Sequence, residues 1–213
     1  MEIIATFIDI VLHLDKYLQI LIQNYGVWIY AILFLIIFCE TGLVIAPFLP
    51  GDSLLFVAGA VAASGNMYVH TLFLVLAAAS FLGDNTNYWT GRFLGPKVFS
   101  REGSLFLNPK YLERTQGFYD RHGGKTVVIA RFVPIVRTFA PFVAGIGKMQ
   151  YSRFVMFAFA GAVLWIGSLV YAGYFFGNIP WVKNNLSLVI IGIVVLSILP
   201  GIIEYTRRKF SAA

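Results

Sequence analysis

The chain has 213 residues, 59% of them hydrophobic and only 12% charged, where a soluble domain carries about 25% charged residues. That balance excludes a soluble enzyme or soluble binding module and describes one all-α polytopic membrane protein. The net charge is +6, and eleven of the 16 Lys and Arg residues lie between Arg92 and Arg153. Basic residues clustered between apolar runs read as cytoplasmic loops or contacts with anionic lipid, and argue against nucleic acid as a partner. Cys39 is the only cysteine, so no intrachain disulfide can form. No cleavable signal peptide is expected, because Glu2, Asp9 and Asp15 stand where a basic leader would be.

Residues 2–23 repeat polar side chains at Glu2, Thr6, Asp9, His13 and Lys16, with Leu12, Leu18 and Ile22 on other faces. This spacing predicts an amphipathic interfacial helix over residues 1–24, with His13 in its solvated stripe. Residues 25–206 then form the membrane domain. Its first crossing, 27–47, is long enough to span, and Glu40 interrupts it. Pro47-Phe-Leu-Pro50-Gly51-Asp52 follows as a turn signal. The apolar run from Ser53 to Ala63 is too short to cross. It therefore reads as one arm of a re-entrant hairpin near residues 44–66, in preference to an ordinary hairpin with Pro50-Gly51 at an exposed tip.

Residues 71–95 are the next crossing. Gly83, Asn87, Gly91 and Gly95 fall four apart, a narrow face for close helix approach. Asp84, Tyr88 and Arg92 make an adjacent polar stripe. Together Asp84, Asn87, Tyr88 and Arg92 form a secondary polar site, either for helix packing with a snorkelling Arg92 or for direct contact with substrate. Residues 97–125 are the main cytoplasmic loop, with Asn108-Pro109 opening a helix, Gly123-Gly124 closing it and His122 at its surface.

Arg131-Phe-Val-Pro134-Ile-Val-Arg137-Thr-Phe-Ala-Pro141 follows. It is apolar enough for a membrane, yet it holds two arginines. An arginine in hydrocarbon costs at least ~2.5 kcal/mol, so intramembrane charges are functional candidates. Pro134 and Pro141 each remove an N–H and predict a broken hairpin near 127–147, turning at the prolines and leaving through Gly145-Ile-Gly147-Lys148. Residues 154–177 are a spanning helix with Gly161, Gly167 and Gly173 for packing, and 186–206 are the last crossing. Arg207-Arg208-Lys209 makes residues 207–213 a basic cytoplasmic tail.

Two markers recur in order. Phe48-Leu-Pro50 precedes Phe56-Val-Ala-Gly59, and Phe132-Val-Pro134 precedes Phe142-Val-Ala-Gly145. With the 97–125 loop and both termini placed inside, the two hairpins enter from opposite faces, the inverted-repeat plan of secondary transporters. Glu40 and Asp52 from one half then stand against Arg131 and Arg137 from the other.

These motifs, with Phe-Cys-Glu40-Thr-Gly, Gly83-Asp84 through Tyr88, Gly91-Arg92, Gly95 and His-Gly-Gly-Lys125, resemble the DedA family of bacterial inner-membrane proteins over nearly the whole chain. The resemblance implies two facing re-entrant hairpins packed among transmembrane helices. It implies a transporter that returns undecaprenyl phosphate, the polyprenyl phosphate carrier of wall precursors, across the inner membrane and so supports envelope integrity. Related eukaryotic proteins of the VTT type are phospholipid scramblases. The family's functional acids fall on Glu40 and Asp52, and its functional arginines on Arg131 and Arg137. The arginines are then expected to bind a lipid phosphate, and the acids to couple transport to protons. Pro50, Gly51, Pro134 and Pro141 are expected to make the hairpin turns. The expected partners are a polyprenyl phosphate or anionic phospholipid and protons, with self-association left open. No enzyme activity, metal or cofactor is expected: His13, His70 and His122 lie outside the core of the apolar runs, and no hydrolase motif is present. A proton- or cation-coupled transporter of small solutes, maintaining membrane potential or pH, is the alternative. Structural pairing of the four charges is another.

Overall fold

The computed structural model describes residues 14–43, 51–98, 125–132, 134–195 and 199, and every described element is helical. In chain order these are α1 (Leu14–Tyr25), a single 3-10 turn (Gly26–Trp28), α2 (Ile29–Gly42), α3 (Gly51–Ala63), α4 (Val69–Val98), α5 (Lys125–Ala130), α6 (Pro134–Ile146), α7 (Tyr151–Phe176), α8 (Pro180–Asn184) and α9 (Leu186–Val195). Among the described residues, three stretches are long and apolar enough to cross a membrane: Lys16–Gly42, Val69–Leu94 and Tyr151–Phe176. Their outward faces carry large apolar side chains such as Leu35, Leu74, Phe93, Met156, Phe159 and Leu164. Contiguous exposure of that kind suits hydrocarbon rather than water.

Two of the remaining helices explain the short apolar runs. α3 and α6 have 13 residues each. At 1.5 Å per residue that is about 20 Å, short of a ~30 Å hydrocarbon core. α3 is buried from Ser53 to Ala62, so it is enclosed by protein rather than exposed to lipid.

The chain forms two compact units. The first takes α1, α2 through Ile36, α3, α4 through Ala77, and the chain from Trp165 onward. The second takes α2 from Ile37, α4 from Ala78, α5, α6 and α7 through Leu164. Within the first, Gly59 of α3 lies so close to the Val170 carbonyl of α7 that a Cβ would overlap it, and Gly173 of α7 meets the Phe56 carbonyl in the same way. Within the second, Gly145 of α6 meets the Tyr88 carbonyl of α4, and Gly91 of α4 meets that of Phe142. The repeated Phe-Val-Ala-Gly motif therefore makes the same backbone-to-backbone contact twice, once in each unit. Glycine is the residue that permits it, since helices approach this closely only where side chains are small.

Two expectations change, at Pro141 and at the exit turn. Helix α1 is described over Leu14–Tyr25. It runs through Gly26, whose φ is +54°, into α2, and Leu14 and Leu18 are buried. Pro141 does not break the backbone: it lies inside α6. A helical proline removes one backbone hydrogen bond, and a buried membrane helix tolerates that where neighbouring groups compensate. The break falls instead at the turn Arg131–Phe132, after which Pro134 opens α6, the first-turn position where its missing N–H costs nothing. The exit turn is at Gly147–Lys148, with Lys148 at φ +52°, while Gly145 is still helical. Residues 1–13, Pro47 to Pro50, the 99–124 loop with Asn108 and His122, and the basic tail lie outside the described residues.

Candidate functional site

The second unit gathers most of the charged residues expected at the site. Ser80 and Asp84 sit one turn apart on α4, and both are buried. Arg131, in the turn between α5 and α6, reaches them. Its Nη1 donates to Ser80 Oγ at 2.7 Å, and its Nη2 pairs with the Asp84 carboxylate and donates to the Ala158 carbonyl of α7 at 3.1 Å. Only 3% of Arg131 is exposed. Its stem lies against Gly161, where a Cβ would come within 2.7 Å of both Cδ and Nε. The guanidinium thus ties α4 to α7 at the point where the α5–α6 backbone breaks.

Arg137 lies in the first turns of α6 and pairs with Glu40, near the end of α2. Both are buried, Glu40 completely. Asn87, also completely buried, clamps this pair from α4. Its Nδ2 donates to the Thr41 carbonyl at 3.2 Å and to the Thr138 carbonyl at 2.7 Å, the residues next to Glu40 and Arg137. Further along α4, the Tyr88 hydroxyl donates to the Met149 carbonyl at 2.5 Å and accepts from Arg92 Nη1 at 3.1 Å. Arg92 lies over the Trp89 ring. Tyr88 and Arg92 thus brace α4 against the exit from α6, and Asp84 and Asn87 belong with the arginines rather than to a separate site.

In the first unit, Asp52 accepts from the Trp165 indole Nε1 at 3.0 Å. Gly51 opens α3 just before it, and Pro50 lies outside the described residues. The expected opposition of Glu40 and Asp52 to the two arginines is therefore realised for Glu40 and Arg137. The carboxylate on Arg131 is Asp84. Ser80 and Trp165 were not singled out in the sequence. Ser80 was legible in principle, four residues before Asp84 and so on the same helix face.

Two short helices, a broken backbone and buried arginine–carboxylate pairs in a chain of this composition invite comparison with known proteins. Residues 49–175 match the VTT domain. Protein DedA of Escherichia coli K12 is 55% identical over 215 residues, covering 100% of this chain and 98% of that protein. The chain belongs to the DedA family. An uncharacterized membrane protein of Mycobacterium leprae is 42% identical over 168 residues, 79% of this chain and 75% of that one. The inner membrane protein YghB of E. coli K12 is 36% identical over 170 residues, 80% and 78% of the two chains. No solved structure matches significantly. With three spanning stretches, this DedA-family protein is a multi-pass protein of the bacterial inner membrane.

Proposed function

We propose that this DedA-family protein is a lipid transporter rather than an enzyme, returning a polyprenyl phosphate such as undecaprenyl phosphate across the inner membrane, coupled to protons, and so sustaining the cell envelope. The observation that carries this reading is the buried Arg137–Glu40 pair beside the broken α5–α6 backbone. A guanidinium accepts carboxylate and phosphate through the same planar fork, so a lipid phosphate can take the place of Glu40. A proton on the released carboxylate would then take the place of the cation it loses. Protonation of Glu40 would accompany substrate entry, and its loss would accompany release. Asp52, held by Trp165, is the second carboxylate we assign to proton exchange. Arg131, engaged by Ser80, Asp84 and Ala158, keeps the broken segment in place while Arg137 exchanges partners. We read α3 and α6 as the inner arms of re-entrant hairpins, since each is too short to span.

The test is translocation of labelled polyprenyl phosphate in proteoliposomes holding the purified protein, with and without a pH gradient. Lipid movement that follows the gradient supports the proposal. Gradient-driven uptake of cations or small solutes without lipid movement would establish the small-solute alternative instead.

A further inference from the structure

Asn87 carries an atom that its clamp leaves unused. The carbonyls of Thr41 and Thr138 are both acceptors, so only the amide NH2 can face them. That fixes the orientation of the side chain and leaves Oδ1 as a buried acceptor with no hydrogen-bond partner among the described residues. Buried polar atoms are almost always satisfied, and an orphaned acceptor in a native site calls for a reason. This one stands on the residue that links the backbone next to Glu40 with the backbone next to Arg137.

An acceptor calls for a donor. A phosphate monoester in its monoanionic form has anionic oxygens for a guanidinium and one P–OH that donates. A phosphodiester, the linkage of ordinary phospholipid head groups, has the oxygens but no hydroxyl. We propose that Asn87 Oδ1 accepts the P–OH hydrogen of a phosphate monoester whose oxyanions are held by Arg137, so that Asn87 is the residue that selects monoesters over diesters. This rests on the lipid-phosphate reading above and adds to it the residue that distinguishes the monoester head group. A diester in the same place offers Oδ1 no hydrogen to accept. Selection against a ligand that lacks a hydrogen-bonding group is strong because the site's buried polar atom is then unpaired.

The experiment compares two ligands with one tail. Farnesyl phosphate and methyl farnesyl phosphate are titrated into the full-length protein in a phosphate-free detergent, about one pH unit below the monoester's second pKa of about 6. Inorganic phosphate is a third arm. The wild-type protein should bind the methyl ester roughly tenfold more weakly than farnesyl phosphate, and in Asn87→Ala the gap should close. Competition by inorganic phosphate as strong as by farnesyl phosphate would support the same chemistry, with free phosphate as the source. Equal affinity for both lipids in the wild type would overturn the assignment. So would a gap that persists in Asn87→Ala, since it would then come from the bulk of the methyl group. If Asn87→Ala fails to elute as a folded species, Asn87→Ser takes its place, and the wild-type comparison needs no variant. Should neither lipid bind, the lipid-phosphate reading itself falls. Binding of both with equal strength removes only the role of Asn87.

Discussion

Removing one partner of the Arg137–Glu40 pair and removing both have different consequences, and the difference separates transport from mere support of the fold. In Arg137→Ala, Glu40 is left completely buried without its cation. Breaking a buried pair in this way costs about 3–5 kcal/mol. For a chain of this length 1 kcal/mol moves Tm by roughly 2–4 °C, so the variant should melt roughly 6–20 °C below the wild type. In the double variant Glu40→Leu/Arg137→Met both charges go and the volume is kept. Such replacements are commonly neutral or stabilising, so its Tm should return to within a few degrees of the wild type. Tryptophan fluorescence on heating the detergent-solubilised proteins reads the first quantity, and translocation of polyprenyl phosphate in proteoliposomes reads the second. The double variant should be folded and inactive. If it is folded and transports at the wild-type rate, the pair is only a structural strut. Charge reversal, Glu40→Arg/Arg137→Glu, gives an independent check: recovery of fold and transport together would point to the same conclusion.

Gly161→Ala should displace Arg131 from Asp84, because the added methyl would lie 2.7 Å from Arg131 Cδ and Nε; overpacking of this kind costs about 1–3 kcal/mol, read as a lower Tm. Gly59→Ala and Gly145→Ala should be worse tolerated still, since each methyl meets helix backbone, whereas Gly192→Ala, with nothing within 4 Å, should gain roughly 0.5–1 kcal/mol. A thermal-shift series over the four variants should place Gly59→Ala and Gly145→Ala lowest, Gly161→Ala next and Gly192→Ala highest. Arg131→Lys keeps the charge but not the fork, so it cannot hold Ser80, Asp84 and the Ala158 carbonyl together; its Tm should fall nearly as far as that of Arg131→Ala, and equal stability with the wild type would refute the bracing role. Trp165→Phe removes the indole donor to Asp52 with little change in bulk, and a hydrogen bond to a charged group contributes about 1.5–3 kcal/mol. Tm should therefore fall in this variant, and an unchanged Tm would show that the bond contributes nothing to the fold.

Much of this architecture was legible in the residues. Apolar run lengths distinguished the long helices from the short α3 and α6, because a helix rises a fixed distance per residue. The recurrence of Phe-Val-Ala-Gly marked two of the places where helices touch through glycine. The presence of Glu40 and Arg137 in apolar runs predicted opposite charges brought together, since an unpaired charge in such surroundings is too costly. Which acid meets which base was a different matter. Charge signs constrain pairing only to a set of candidates, and register along the helices decides among them. Asp84 was therefore read with Tyr88 and Arg92 as a stripe, when its carboxylate answers Arg131. Pro141 was overread for a related reason: a proline costs one hydrogen bond, and whether a helix can carry that loss depends on neighbours far away in the chain. The spacing of Asn87 places it on the packing face and in the polar group with Asp84, Tyr88 and Arg92, but its clamp across Thr41 and Thr138 requires three helix positions that no local pattern reveals.

The claim on which the transport mechanism depends is that Arg137 releases Glu40 for a phosphate. It is tested most directly by dipolar coupling between 15N in arginine side chains and 31P of bound farnesyl phosphate, in a detergent that contains no phosphate. A close N–P contact should be present in the wild-type protein and absent in Glu40→Leu/Arg137→Met. A contact that survives in the double variant, or none in a wild-type sample shown to bind the lipid, would place the phosphate elsewhere and contradict the mechanism.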